Sequence, residues 1–321
     1  MSLCQCCYPC RYVASVNQAL LPIIPIGTCR VLRFDSALTL QCWTTFVSCT
    51  VYAFHSLVMA AETYQQSSRD VQMEGGKLFI QTDLNPQPGD AILDLGCGTG
   101  ELSAYLAELV EPEGFVVGVD PDVKRLNLAK DTHREIKNLS FVEGNSDNFD
   151  GMGCEKYDLI FLNHVLHWIP NHQHAFKNMF SSLKEGGKIA IRYIDRLPPY
   201  IVTAVEVLIP EIEEQLNQLS RSVDKVSVDL MCVAEGFEIV KSCYANDEKV
   251  EFESVEAYLN WLWSSTHGNF DQNLVTEERI QRFLSRVGNP PFDFTSEDVN
   301  IKLIAVKPKG RTDVHNEGAE L

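Results

Sequence analysis

The chain is short of positive charge. Its 321 residues carry 27 Lys and Arg against 44 Asp and Glu, a formal net charge of −17. No lysine and arginine run interleaves with aromatics, so the basic face that a nucleic-acid groove needs is missing. No nucleic-acid partner is expected, and a small-molecule substrate fits better. Cysteine is scarce beyond residue 50, where only Cys97, Cys154, Cys232 and Cys243 occur among the 11 of the chain. Four scattered thiols exclude a disulfide framework; they read as reduced packing residues of a cytoplasmic protein. Residues 1–58 are short of charge of either sign, with Arg11, Arg30, Arg33 and Asp35 as their formal charges.

What that segment has instead is ambiguous chemistry. Ser36–Ala61 carries no charged residue, and a run of that length can span a bilayer. However, Thr44, Thr45, Ser48, Thr50, His55 and Ser56 dilute it, and Pro22, Pro25 and Gly27 break what precedes it. This argues against a membrane anchor. No early basic residues lead into an apolar core, which argues against a signal peptide. Cys4, Cys6, Cys7 and Cys10 cluster tightly but lack the second ligand pair of a zinc site. Residues 1–58 thus read as a cysteine-rich extension, either ill-folded or an anchor. Met59-Ala-Ala-Glu62 looks like a natural chain start. The domain is expected over 59–308, with a polar, disordered tail at 309–321.

The most informative stretch runs Asp90-Ala-Ile-Leu-Asp-Leu-Gly-Cys-Gly-Thr-Gly-Glu101. Ile92, Leu93 and Leu95 suit a buried parallel strand. Gly96, Gly98 and Gly100 form a turn, and a helix is expected over Glu101–Val110. Strand, glycine turn and helix bring backbone close to a nucleotide-like ligand, where a Cβ would block the approach. The spacing is GxGxG, not the GxGxxG of dinucleotide binders. No Walker lysine follows, which argues against a triphosphate. A second strand, Phe115–Val119, ends in Asp120, an acid placed to accept ribose hydroxyls.

Short apolar strands then alternate with amphipathic helices, the pattern of an α/β doubly wound sheet. Strands are expected at Ala91–Leu95, Phe115–Val119, Leu139–Glu143, Leu159–Asn163, Lys188–Ile194, Phe237–Ala245 and Ile301–Val306. Helices are expected at Pro121–Lys137, with Pro121 at the first helical position, and at His172–Leu183, stopped by Lys184-Glu185-Gly186-Gly187. Pro198–Ser220 reads as one helix, and Phe252–Gly288 as two helices around Gly268-Asn269. We take these insertions, about 198–220 and 252–292, as helical caps over the acceptor pocket. Plain packing decoration is the alternative.

The glycine turn with Asp94 and Asp120 resembles motifs I and II of the class I S-adenosylmethionine-dependent methyltransferases. His164-Val-Leu-His167-Trp168-Ile, after the fourth strand, is similar to the motif of small-acid O-methyltransferases, the trans-aconitate and juvenile hormone acid group. The first resemblance covers 90–195 well; beyond that only the layout agrees. It implies a Rossmann-like, mostly parallel seven-stranded sheet with helical cap insertions. It implies S-adenosyl-L-methionine contacts at Asp94, Gly96, Cys97, Gly98, Gly100, Asp120, Pro121, Asn145, Ser146, Asn163 and His164. Asn145 stands where the family commonly has Asp, and its amide oxygen can accept the same bond. A turn residue is the other reading.

For the acceptor, the resemblance points to His167 and Trp168. A carboxylic acid is already ionised near pH 7, so positioning replaces a general base. Trp168 is placed to offer its face to the sulfonium, and His167 to hold the carboxylate. Arg192, ending the fifth strand, is a candidate partner for it; a solvated strand-end charge is the alternative. The histidines His164, His167, His172 and His174 lack completing ligands, and no metal is assigned. The expected activity is O-methyl transfer to a small carboxylic acid by a monomer or weak homodimer. The alternatives are an N- or alcohol O-methyltransferase of the same fold, or an inactive cofactor-binding regulator.

Overall fold

The computed structural model describes residues 73–214, 224–245, 250–266, 270–294 and 299–310. The extension at 1–58, the start at Met59, the Gly268-Asn269 break and the tail beyond residue 310 lie outside them. Strands β1 (Ala91–Leu95), β2 (Phe115–Asp120), β3 (Leu139–Glu143), β4 (Tyr157–Asn163), β5 (Leu183–Ile194), β6 (Glu238–Tyr244) and β9 (Asn300–Val306) form one seven-stranded sheet, ordered β3-β2-β1-β4-β5-β9-β6. β9 runs antiparallel to both neighbours, and the pairs from β3 to β5 are parallel. All of β1 is buried, as expected for a strand with helices on both faces. β1 pairs with β2 on one side and β4 on the other. The strand order therefore reverses between β1 and β4, where open α/β sheets bind ligands beyond their carboxyl ends.

One face packs Leu93, Ile160, Ile191 and Leu303 against Phe176 and Met179 of α4 (His172–Ser182) and against Val228 and Cys232 of α6 (Lys225–Glu235). The other packs Ile92, Val116 and Phe161 against α2 (Glu101–Val110) and against α1 (Glu74–Phe79), which continues as a π-turn over Ile80–Leu84. Each fully buried Leu, Ile or Phe in these layers contributes about 1.5–3 kcal/mol.

Several local expectations need correction. α3 is Val123–Thr132, shorter than Pro121–Lys137, because Asp122 accepts the Lys124 and Arg125 N–H groups as N-cap; Pro121 precedes the cap. Pro198–Ser220 is not one helix. α5 (Pro199–Val207) ends before Pro210, where a separate 3-10 turn begins, since proline cannot donate to the helix ladder. Leu216 and Leu219 lie outside the described residues. Lys184–Gly187 is no loop: Gly186 N donates to Lys307 O and Lys307 N to Gly187 O, so β5 starts at Leu183. α1 and α6 were not anticipated, nor was the ribbon of β7 (Glu251–Phe252) with β8 (Phe292–Asp293).

α5, α7 (Val255–Ser265) and α8 (Glu277–Val287) share an aromatic core with that ribbon. Tyr258 stacks on Phe283 at 5.4 Å and on Trp261 at 6.1 Å. Buried Arg125 of α3 donates from Nη2 to Ser264 O near the end of α7 at 3.1 Å. A cation at a helix C-terminus also complements the dipole there. Arg125→Ala should therefore speed amide hydrogen exchange in α7 by roughly ten- to hundredfold, the loss of one charged hydrogen bond. The strands of the sheet should be unaffected; equal loosening everywhere would mean that Arg125 holds the whole fold, not α7.

Candidate active site

The turn after β1 is held by its own backbone. Gly96 N and Cys97 N both donate to Val119 O, and Gly98 N donates to Asp120 Oδ2 at 2.9 Å. Gly96, Gly98 and Gly100 have φ of +85°, +57° and +86°, a region that side chains disfavour. Space forbids them as well. A Cβ on Gly96 would lie 2.3 Å from Val165, and one on Gly100 2.5 Å from Phe141. Asp120 is buried, and its second oxygen accepts from Asp122 N at 2.8 Å. The carboxylate is thus aimed before any ligand arrives.

Two further acids surround this turn. Asp94 is buried and accepts from Ser103 Oγ at 2.5 Å. Burial pushes its carboxyl up to about 7; the Ser103 bond opposes this, and the charges of Asp120 and Glu101 add to it. Glu101 takes the Thr99 hydroxyl on Oε2 at 2.6 Å. Its Oε1 is buried with no hydrogen-bond partner. Cys97 lies in the same pocket of negative charge, and burial, then Asp94 and Asp120, push its thiol well up. It is a neutral wall, not a nucleophile.

The turn after β4 differs in sign. Asn163 and Arg192 are direct partners across β4 and β5, and Arg192 Nη1 donates to Asn163 Oδ1 at 3.0 Å. Arg192 is fully buried, so the solvated strand-end alternative is wrong. His164 follows with φ of +58° and donates its N–H to Arg192 O. Burial, then the Arg192 charge, then His167, keep its imidazole well below the usual range. The 3-10 turn Leu166–Trp168 comes next. His167 is buried, its Nδ1 has no partner, and burial with a smaller push from His172 lowers it to about 4. Its ring lies 5.4 Å from Trp168, which is half-buried.

The turn after β3 is less committed. Asn145 is exposed, and its Oδ1 accepts from Asp147 N at 2.8 Å, an Asx turn. Ser146 is buried, and its carbonyl accepts from Asn178 Nδ2. Pro121 is exposed beside Asp120. Among the described residues no group of three or more His, Cys, Asp or Glu is arranged to hold a metal ion. Among them, too, no helix is long and apolar enough to cross a membrane.

Glu101, Ser103, Arg125 and Gly76 were missed by sequence reasoning. Gly76 of α1 approaches this edge closely, since a Cβ there would meet Leu102 at 2.6 Å and Asn163 Nδ2 at 3.4 Å. Glu101 was readable as an acid in the first turn of a helix beside the glycines. The other three gave no signal before the fold was known.

A family model described as a methyltransferase domain matches residues 86–265. The chain is 32% identical over 113 residues to the trans-aconitate 2-methyltransferase of Deinococcus radiodurans, 35% of this chain and 41% of that one. It is 31% identical over 127 residues to the ubiquinone/menaquinone biosynthesis C-methyltransferase of Vibrio parahaemolyticus, 37% of this chain and 49% of that one. These matches thus span less than half of either relative. The fold is similar to Haemonchus contortus phosphoethanolamine N-methyltransferase 2, solved with S-adenosyl-L-methionine. The TM-score is 0.52 at 16% identity, over 78% of this chain and 57% of that one.

Proposed function

The chain belongs to the methyltransferase family, with S-adenosylmethionine as its cofactor, and on that premise we propose O-methylation of a small carboxylic acid. One observation carries this reading: the two turns at the switch point oppose each other in charge. Asp94, Glu101 and Asp120 surround the glycine turn, while buried Arg192 and two neutral imidazoles line the turns after β4 and β5. A cationic donor suits the first and an anionic acceptor the second.

The residues present fit S-adenosylmethionine. The glycine turn takes a left-handed path with no room for a Cβ at Gly96 or Gly100, and the unpartnered Glu101 Oε1 awaits a donor. Asp120 would accept the ribose hydroxyls, and Asp94 with Glu101 would face the cationic end. Gly96, Cys97, Gly98 and Gly100 would line the cradle; Pro121, Asn145 and Ser146 would flank the base, and Asn163 and His164 the methionine side. When bound, the cofactor supplies an electrophilic methyl group on a sulfonium. Arg192 and the His167 imidazole hold the acceptor oxygen, Trp168 walls the site, and burial excludes water. No residue needs to remove a proton, because the acid arrives ionised.

The test is methyl transfer from labelled S-adenosylmethionine to a panel of carboxylic acids, with alcohols, phenols and amines as controls. Labelling of the acids, suppressed by S-adenosylhomocysteine, supports the reading; labelling of the controls alone overturns it.

The donor side has a pH signature. Asp94 free of ligand titrates at about 7, and a cation prefers its ionised form. As pH falls below 7, Asp94 takes up a proton, and cofactor affinity should fall by up to about tenfold per pH unit. Calorimetric titration between pH 5.5 and 7 checks this. Asp94→Asn should remove the slope; a flat wild-type profile would place the cationic end elsewhere.

A further inference from the structure

We propose that cap helix α7 carries a second polar clamp for the acceptor, in which Trp261 Nε1 and Ser265 Oγ take a neutral acceptor oxygen remote from the methylated one. The proposal rests on the carboxylic-acid reading above. Both atoms are buried and neither has a hydrogen-bond partner. Positions 261 and 265 are one helical turn apart on the same face. Three polar groups beside them are paired: Trp263 Nε1 donates to Phe270 O, Ser264 Oγ to Trp261 O, and Thr266 Oγ1 to Leu262 O. The two open groups are therefore local to one face. An unmatched buried donor costs about 1–3 kcal/mol, and proteins keep such groups where a ligand pairs with them.

The indole is fixed in place. Trp261 is only 6% exposed and packs against Phe252 at 5.4 Å, Tyr258 at 6.1 Å and Tyr200 at 6.5 Å. Tyr200 lies in the first turn of α5, just after β5 leaves its carboxyl end. Ser264 is held by Arg125, three residues past Asp122 at the exit of β2. Trp261 and Ser265 therefore sit between chain leaving β5 and chain leaving β2, over the edge where the acceptor must lie. The indole N–H can only donate, and the hydroxyl can do the same. The ring neighbours of Trp261 are aromatic, and Arg125 beside Ser264 is committed to Ser264 O and Asp122, so a second carboxylate would be buried without a counter-charge of its own. A carbonyl suits two neutral donors. The acceptor class is an oxo acid: carboxylate on Arg192, carbonyl on α7.

The experiment compares straight-chain acids with the same acids bearing an oxo group, using labelled S-adenosylmethionine and the full chain. Wild type should favour one oxo acid over its plain counterpart by about tenfold or more in kcat/KM, because a site built to hydrogen-bond an oxygen rejects the analogue lacking it. Trp261→Phe keeps an aromatic ring, though a smaller one, and removes the donor. It should erase that preference through KM, so that the oxo acid and its plain counterpart are turned over alike. A preference that survives in Trp261→Phe, or none in wild type, overturns the clamp. Ser265→Ala gives a readout that needs no substrate. Removing an unpaired oxygen should hold or raise the melting temperature, and a clear fall would show that the hydroxyl has a structural partner. If no acid of either kind is methylated, the carboxylic-acid reading fails and the clamp with it; acids methylated without an oxo preference overturn the clamp alone.

Discussion

Asp120→Ala should weaken S-adenosylmethionine binding by about 1.5–3 kcal/mol, roughly ten- to hundredfold, as for a lost charge-assisted hydrogen bond. Two losses coincide. The carboxylate proposed to accept the ribose hydroxyls disappears. So does the acceptor of the Gly98 N–H at 2.9 Å, which holds the glycine turn in its left-handed path. Asp120→Asn keeps one oxygen and should fall between the two. Calorimetric titration at constant pH reads the change, and circular dichroism confirms that the sheet is intact. Unchanged affinity in Asp120→Ala would remove Asp120 from the ribose site.

This turn was legible in the sequence because several constraints coincide there. A buried parallel strand needs an unbroken apolar run, a close backbone approach needs glycine, and an acid at the end of β2 has few structural uses. The buried parallel strands β2 and β4 were readable for the same reason. Element ends were less so. Pro121 and Asp122 are both helix-start residues, and the Asp122 side chain decided the boundary by capping two N–H groups. Gly186 and Gly187 looked like a stop signal. They are strand residues because Lys307, just past β9 and more than a hundred residues later, pairs with them. α6 hides its pattern: Val226, Leu230 and Val233 are exposed, while Val228 and Cys232 are buried.

The site divides similarly. Asp94 and Asp120 sit in a local motif, so their positions could be read. That Asp94 would be held to about 7 could not, since the effect needs burial and the nearby charges of Asp120 and Glu101. Arg192 was ambiguous because a charge at a strand end is ordinarily solvated. Its burial follows from β5 lying between β4 and β9. The bond from Arg125 to Ser264 joins residues 139 apart. No window along the chain contains it.

The largest expected effect is at Arg192. Arg192→Met keeps the apolar stem but removes the buried charge that would hold the acceptor carboxylate. Turnover should fall by about a hundredfold or more, since displacing a reactant by about an ångström spoils the line of attack. Cofactor affinity should change little, because Asp94, Glu101 and Asp120 stay in place. Stability should fall, since Asn163 Oδ1 loses its donor, so circular dichroism must show the sheet intact before turnover is compared. His167→Ala and Trp168→Ala should act in the same direction, on turnover rather than on cofactor binding. The pH profile separates positioning from proton removal. His167 titrates at about 4, lowered first by burial, so it stays neutral above pH 6, and a carboxylic acid is ionised there too. The wild-type rate should then be flat from about pH 7 to 9. A rate climbing tenfold per pH unit across that window would mean that an alcohol, phenol or amine must lose its proton before attack, and would defeat the carboxylic-acid reading. Unchanged turnover in Arg192→Met, His167→Ala and Trp168→Ala together would move the acceptor away from the β4 and β5 ends.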